Sequence, residues 1–201
     1  LEQEDVALVS EAGTPGMSDP GYELVVAASR NGIPVVPIPG ASAVVTALTV
    51  SGLATDKFSY LGFLPRKVGN RRNLLESAAD EPATIVILES PHRLLATLKD
   101  MLAALGDRRI AVCRELTKLH EEIFRGNISQ AIEHFAQPRG EFTLVVEGRI
   151  KNNKPELTDD VRQQLRSRVL AGAKAKEAVS QLAGETGLSK KELYRAWLEQ
   201  A

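Results

Sequence analysis

The sequence predicts an α/β fold with a helical tail, on three observations. Short apolar runs at residues 6–9, 84–88 and 110–112 read as buried strands. Segments with helical spacing at 22–30, 44–50 and 94–105 alternate with them, the pattern of an α/β architecture. Past a polar linker at 151–155, every periodic segment is helical. These changes of texture divide the chain into an α/β part at 1–53, a second α/β domain at 54–150 and a small helical domain at 151–201.

Each element has a local cause. The run at 6–9 reads as a parallel strand leading into Glu11-Ala-Gly-Thr-Pro-Gly-Met-Ser-Asp-Pro-Gly21. Three glycines and two prolines make that loop rigid and let a ligand approach its backbone. Loops beyond the carboxyl ends of strands are where open α/β sheets bind ligands. Asp19 as N-cap and Pro20 at the first helical position predict the next helix, which stops at Asn31-Gly32. Residues 33–40 are apolar and extended, their prolines placing them at a sheet edge. Gly40-Ala-Ser-Ala43 opens a helix over 44–50 that Gly52 ends, with Ser42 readable as a cap or as a ligand contact.

Residues 57–64 alternate as a strand. Pro65-Arg-Lys-Val-Gly-Asn-Arg-Arg72 follows, readable as a cationic loop for phosphates or as a solvated helix start. The strand at 84–88 precedes Glu89-Ser-Pro-His-Arg93 and an amphipathic helix to Leu105, stopped by Gly106. A strand at 110–112, a short one at 122–126, a helix capped by Asn127 or Ser129 and running through Phe135, and a last strand at 139–147 complete the body. Helices at 159–170, 173–185 and 189–199 form the tail. Ser189 with Glu192 makes a capping box after Thr186-Gly187-Leu188, and Tyr194 and Trp197 are placed in a helical core. The last two helices resemble a helix-turn-helix.

Composition narrows the function. At 201 residues, 43% hydrophobic and 25% charged, the chain has the makings of an ordinary globular protein with a real core. No apolar run reaches the roughly 20 residues of a membrane span and no basic-then-apolar leader is visible, so no membrane partner is expected. The single cysteine, Cys113, excludes an internal disulfide, suits a reducing cytoplasm and reads as a buried strand residue. His92, His120 and His134 are scattered without ligand spacing, so no metal site is expected. The net charge of −1 splits into −4 over 1–150 and +3 over 151–201, a basic tail that fits contact with nucleic acid. There is no nucleophile elbow, Walker loop or complete dinucleotide fingerprint. What remains is a set of Gly, Pro, Ser and Thr-rich loops suited to a compact ligand.

Those loops carry a resemblance. Ser10 to Gly21, Pro39-Gly-Ala-Ser-Ala43, Gly62-Phe-Leu-Pro-Arg-Lys67, Glu89-Ser-Pro-His-Arg93, Arg114-Glu-Leu-Thr-Lys118 and Gly140-Glu-Phe-Thr-Leu144 stand in the order found in tetrapyrrole-methylase-type (class III) methyltransferases. The chain most resembles the branch that methylates ribosomal RNA, whose basic helical extension its tail also resembles. The resemblance implies two α/β domains with S-adenosylmethionine folded between them. It further implies methylation of a cytidine ribose 2′-hydroxyl in the decoding region of small-subunit ribosomal RNA, by a cytoplasmic homodimer. Carried over by motif, cofactor contacts would come from Gly13, Gly16, Met17, Ser18, Ser42, Ala43, Ser90, Leu116, Glu141 and Phe142. The chain begins at Leu1 and lacks the family's opening strand and glycine turn, so it resembles the last two-thirds of such an enzyme with the first domain incomplete. Weak or no catalysis by this polypeptide alone is the expectation.

A ribose hydroxyl is a poor nucleophile, so a base or a cation that favours the alkoxide is sought near it. Glu115, Lys118 and Glu122 are the candidates, with surface ion pairing as the alternative. Arg66, Lys67, Arg71 and Arg72 are expected to meet RNA phosphates, with the tail helices as a second clamp. Two other functions stay open on the residues alone, a methylase of a tetrapyrrole or other small acceptor and a noncatalytic RNA-binding module.

Overall fold

The computed structural model describes residues 5–149 and 157–199, so the expected linker at 151–155 lies outside the described residues. The chain divides into two units, Leu1–Ile150 and Lys151–Ala201.

The first unit holds five strands, of which β2, β3 and β5 are largely apolar runs: β1 (Phe58–Phe63), β2 (Thr84–Glu89), β3 (Arg109–Arg114), β4 (Glu122–Asn127) and β5 (Phe142–Val146). They form one sheet in the order β1-β2-β5-β3-β4. Only β1 and β2 pair in parallel; β5 runs antiparallel between β2 and β3, and β4 antiparallel beside β3. The sheet is therefore mixed. Seven residues separate β3 from β4, too few for the helical crossover that a parallel pair needs. The helices are α1 (Tyr22–Arg30), α2 (Ala43–Ser51), α3 (Val68–Ser77), α4 (Pro91–Leu105) and α5 (Ile128–His134).

Period two sorts the strand residues onto two cores. Ile85, Ile87, Ile110, Val112, Leu144 and Val146 face Leu75 of α3, Leu94, Leu98 and Met101 of α4, and Ile128 of α5. Val86, Ala111, Cys113 and Val145 face Val44, Ala47 and Leu48 of α2. The segment at 43–51 thus shares a core with the sheet. The α2 boundaries follow its caps: Ser42 Oγ accepts from Val45 N at 3.4 Å, and Gly52 closes the helix at φ 76°.

The front of the chain departs from expectation. Residues 5–10 and 33–42 form no strand, and Val6, Val9 and Ile38 are each 81% exposed. Among the described residues no strand lies beside them to complete a ladder, and bonds such as Ile33 N to Ala28 O at 2.9 Å are local ones. Asp19 does not cap α1. Gly21 holds that place at φ 139°, where an added Cβ would come 2.6 Å from Leu8 Cδ2. The cationic stretch is not a loop throughout, because α3 begins within it at Val68.

The second unit holds α6 (Asp159–Leu170), α7 (Ala175–Thr186) and α8 (Lys190–Leu198) around Val161, Leu165, Val179, Leu182, Leu193 and Trp197. Gly187 turns at φ 71°, and the Ser189 hydroxyl accepts from Glu192 N at 3.2 Å while donating to its carboxylate at 2.8 Å. Trp197 is in the core as expected. Tyr194 is not: Leu193, Ala196 and Trp197 define the inner face of α8 and leave Tyr194 48% exposed.

Candidate functional site

Strand register gathers the motif loops at one end of the sheet. Phe63 pairs with Leu88, Glu89 with Phe142, Phe142 with Arg114, and Arg114 with Glu122. The turn after β1, Ser90 after β2, Glu141 before β5 and the loop from Glu115 to Glu121 therefore share one rim. The opening loop reaches it too. Ser18 Oγ lies 2.6 Å from Tyr60 Oη, beside the bulge where Gly62 adopts φ 63°. Farther back, Thr14 Oγ1 donates to Ala41 O at 3.1 Å, tying the loop to the mouth of α2.

Backbone strain concentrates here. Among the described residues, the non-glycine positions with positive φ are Ser18 at 64°, Glu115 at 48° and Thr117 at 67°. Each such conformation costs about 1–3 kcal/mol and persists only where neighbouring contacts impose it. Around Glu115 those contacts are explicit. Its N–H donates to Glu141 O at 2.9 Å, its carboxylate accepts from Glu141 N at 2.8 Å, and Lys118 N donates to its carbonyl at 2.9 Å. Gly140, at φ 86°, lets the chain pass: a Cβ there would come 2.5 Å from Glu115 Cγ. Thr117 N is held in turn by the Glu121 carboxylate at 2.6 Å.

The electrostatics separate the three catalytic candidates. Lys118 Nζ sits 2.8 Å from Glu141 Oε2 and 3.2 Å from Glu115 Oε1. The Glu141 N–H, and then the Lys118 ammonium, hold the Glu115 carboxyl below the ordinary carboxylate value. Hydrogen bonds to Glu141 and Glu115 raise Lys118 above the ordinary lysine value. Glu115 is thus a committed anion and a poor proton acceptor. Lys118 is a fixed cation suited to stabilising developing negative charge on oxygen. Glu122 is taken by His134 Nε2 at 2.6 Å and Arg114 Nη1 at 3.0 Å, and the His134 bond is the main cause of its lowered pKa. That makes Glu122 a strand-end ion pair on the same rim.

The remaining expected contacts fall into two groups. Gly13, Gly16, Met17, Ser18 and Ala43 are exposed, and Ser42, Ser90 and Leu116 half-buried. Ser42 has a capping role, and Leu116 packs partly on the α2 core. Phe142 is 2% exposed with its ring in the opposite core, so its side chain is structural. Of the four basic residues, Arg66 and Lys67 are exposed and, among the described residues, unpaired with any carboxylate. Arg71 is not on the surface: it is 5% exposed and gives Nε to Asp100 Oδ2 at 2.7 Å, while Arg72 gives Nε to Oδ1 at 2.8 Å. Helical spacing turns Arg71 inward onto α4. Sequence reasoning missed Tyr60, whose hydroxyl meets Ser18 and which lies outside the quoted motifs, and the side-chain roles of Glu89 and Arg93, whose only signal was membership of one of them.

Comparison with known proteins shows the family. The family model for tetrapyrrole (corrin/porphyrin) methylases matches residues 1–132. Ribosomal RNA small subunit methyltransferase I of Synechocystis is 48% identical over 98% of this chain and 72% of its own length. The protein of that name from Halalkalibacterium halodurans is 46% identical over 98% of this chain and 70% of its own length. A solved structure of the methyltransferase CobJ superposes with a TM-score of 0.52 at 19% identity, covering 68% of this chain and 62% of that one, which shows the shared fold. The chain belongs to the tetrapyrrole (corrin/porphyrin) methylase family, on the branch whose curated members are named ribosomal RNA small subunit methyltransferase I.

Proposed function

We propose that the rim serves an S-adenosylmethionine-dependent methyltransferase that acts on small-subunit ribosomal RNA, and that the group modified is the 2′-hydroxyl of a cytidine ribose in the decoding region. The observation that carries the reading is the convergence, on one end of a single sheet, of strained, internally wired loops, one fixed ammonium and two cations that meet no carboxylate among the described residues. The names of the relatives supply the acceptor class.

The donor set fits such a cofactor. Exposed Glu141 and half-buried Ser90 offer polar groups beside the apolar side chain of Leu116, the mixture a nucleoside-bearing ligand requires. S-adenosylmethionine supplies a methyl group on a sulfonium centre. The chain supplies position and field. The loop from Glu115 to Glu121 is held rigid by its own bonds, so a hydroxyl placed against it loses little freedom that was not already lost. Lys118 holds its proton and, with two N–H groups given to Glu141 and Glu115, offers its third to the acceptor oxygen as negative charge develops there, while the hydroxyl proton leaves to solvent. Arg66 and Lys67 bind phosphates on either side of the target. The tail, net +3 over 151–201, adds a second, less specific contact.

The test uses methyl-tritiated S-adenosylmethionine with small ribosomal subunits and the chain in excess over them. The expected product, in low yield, is labelled RNA whose alkaline digest yields one resistant labelled dinucleotide, the mark of a 2′-O-methyl ribose. Label confined to a base, or transferred to a porphyrinoid but not to RNA, overturns the reading.

A further inference from the structure

We propose that Arg93 is a positioning residue for RNA binding, one that fixes the Pro65–Lys67 turn so that Arg66 and Lys67 meet the nucleic acid as a preformed pair. The inference rests on the reading that those two cations contact ribosomal RNA.

Arg93 lies one turn into α4, yet its guanidinium reaches across to the end of β1. Nη2 donates to Leu64 O at 2.7 Å and to Pro65 O at 3.2 Å. Nε lies 3.5 Å from Glu89 Oε1. Glu89 is only 2% exposed, and both its oxygens are engaged: Oε1 accepts from Ser90 N at 2.8 Å and Oε2 from Thr97 Oγ1 at 2.6 Å. A buried carboxylate fixed from two sides therefore aims the guanidinium, which ties down the two carbonyls just before Arg66. The other side of the turn is fixed as well. Arg71 N bonds to Lys67 O at 3.0 Å, and the Arg71 side chain is locked to Asp100. Two exposed cations thus stand between two anchored ends.

The chemistry calls for arginine. A planar fork can serve two carbonyls and a carboxylate together, whereas a lysine ammonium is a single point of charge on a flexible stem. Ordering a loose turn on binding costs conformational freedom, and a pre-set turn avoids that cost. Arg93, 23% exposed at its side chain and spent on internal acceptors, is not itself placed to contact phosphate.

The experiment is a thermodynamic cycle on the 201-residue chain, read by fluorescence anisotropy with a labelled fragment of small-subunit ribosomal RNA over a salt series. R66A/K67A should weaken binding and flatten the dependence of log Kd on log salt by roughly one to two units, as lost phosphate contacts do. Arg93→Met should weaken binding five- to tenfold in the parent background, and less than twofold once Arg66 and Lys67 are gone. Arg93→Lys, which keeps the charge and serves as the gentler variant if Arg93→Met unfolds, should reproduce at least half of the loss on a logarithmic scale. Equal losses in both backgrounds, or none in either, overturn the positioning role while leaving the RNA reading intact. Unchanged binding by R66A/K67A overturns the RNA reading and the proposal with it.

Discussion

Replacing Asp100 with alanine tests whether Arg71 is an interior ion pair, as its geometry shows, or a contact surface, as its position in a basic stretch suggested. The Asp100 carboxylate receives Arg71 Nε at 2.7 Å and Nη2 at 2.5 Å on one oxygen, and Arg72 Nε at 2.8 Å on the other. Burial alone would push its pKa up, but the bonds from Arg72 and Arg71 outweigh that and hold it below the ordinary value. The side chains of Arg71 and Asp100 are each 6% exposed, so removing the carboxylate strands a guanidinium inside the protein. A pair broken in this way costs about 3–5 kcal/mol. Cys113 reports the loss. It is the single cysteine, 1% exposed in β3, and burial pushes its thiol up to about 11, so it reacts only when the sheet opens. At 1.4 kcal/mol per decade, Asp100→Ala should speed thiol labelling by roughly 10²- to 10⁴-fold. The double variant R71L/D100L, which removes both charges together, should return to within about tenfold of the parent. Labelling of Asp100→Ala within a few-fold of the parent would refute the argument.

Three further outcomes follow from the same geometry. Gly140→Ala should abolish measurable donor binding in calorimetry without unfolding the chain, because the new Cβ displaces Glu115 from Glu141 N; retained affinity contradicts the wiring of that loop. The Glu115–Lys118–Glu141 network should be insensitive to pH across the neutral range. The lowered pKa of Glu115 means its contribution is present above the ordinary 4.5 and lost as pH falls through the folded value. The raised pKa of Lys118 means its contribution is complete below the ordinary 10.5 and lost as pH rises through the folded value. A titration of donor affinity centred near pH 7 would therefore contradict these assignments. In the second unit, Ser189→Ala should cost about 1 kcal/mol through loss of the α8 cap, read by urea unfolding of the single tryptophan, Trp197; an unchanged midpoint contradicts the cap.

What the sequence disclosed was local. The cap of α8, the apolar strands at 84–88 and 110–112 and the glycine stops at Gly52, Gly106 and Gly187 are written in adjacent residues, and the structure places them as read. What it hid depends on neighbours. Residues 6–9 and 33–40 have strand-like composition, but a strand exists only beside another, and none is there among the described residues. Arg71 and Arg72 look alike in the sequence and both reach Asp100 on α4, yet one helical step buries the Arg71 side chain and leaves that of Arg72 59% exposed. Tyr194 and Trp197 differ in the same way about α8. The mixed sheet could not be read from apolar runs that look the same in either direction. Least visible were the strained turns at Ser18, Glu115 and Thr117, where ordinary residues are forced into left-handed backbone by contacts distant in sequence. The motifs marked these loops, and the geometry shows which of their side chains are free to act.

The most direct test of the central claim is amide hydrogen exchange on the chain with and without S-adenosylmethionine. The account predicts saturable slowing in the segments around Ser90, from Arg114 to Lys118, and from Gly140 to Phe142, where the rim loops meet. Exchange that the cofactor leaves unchanged at all three, or slows only on surfaces away from that end of the sheet, would contradict it.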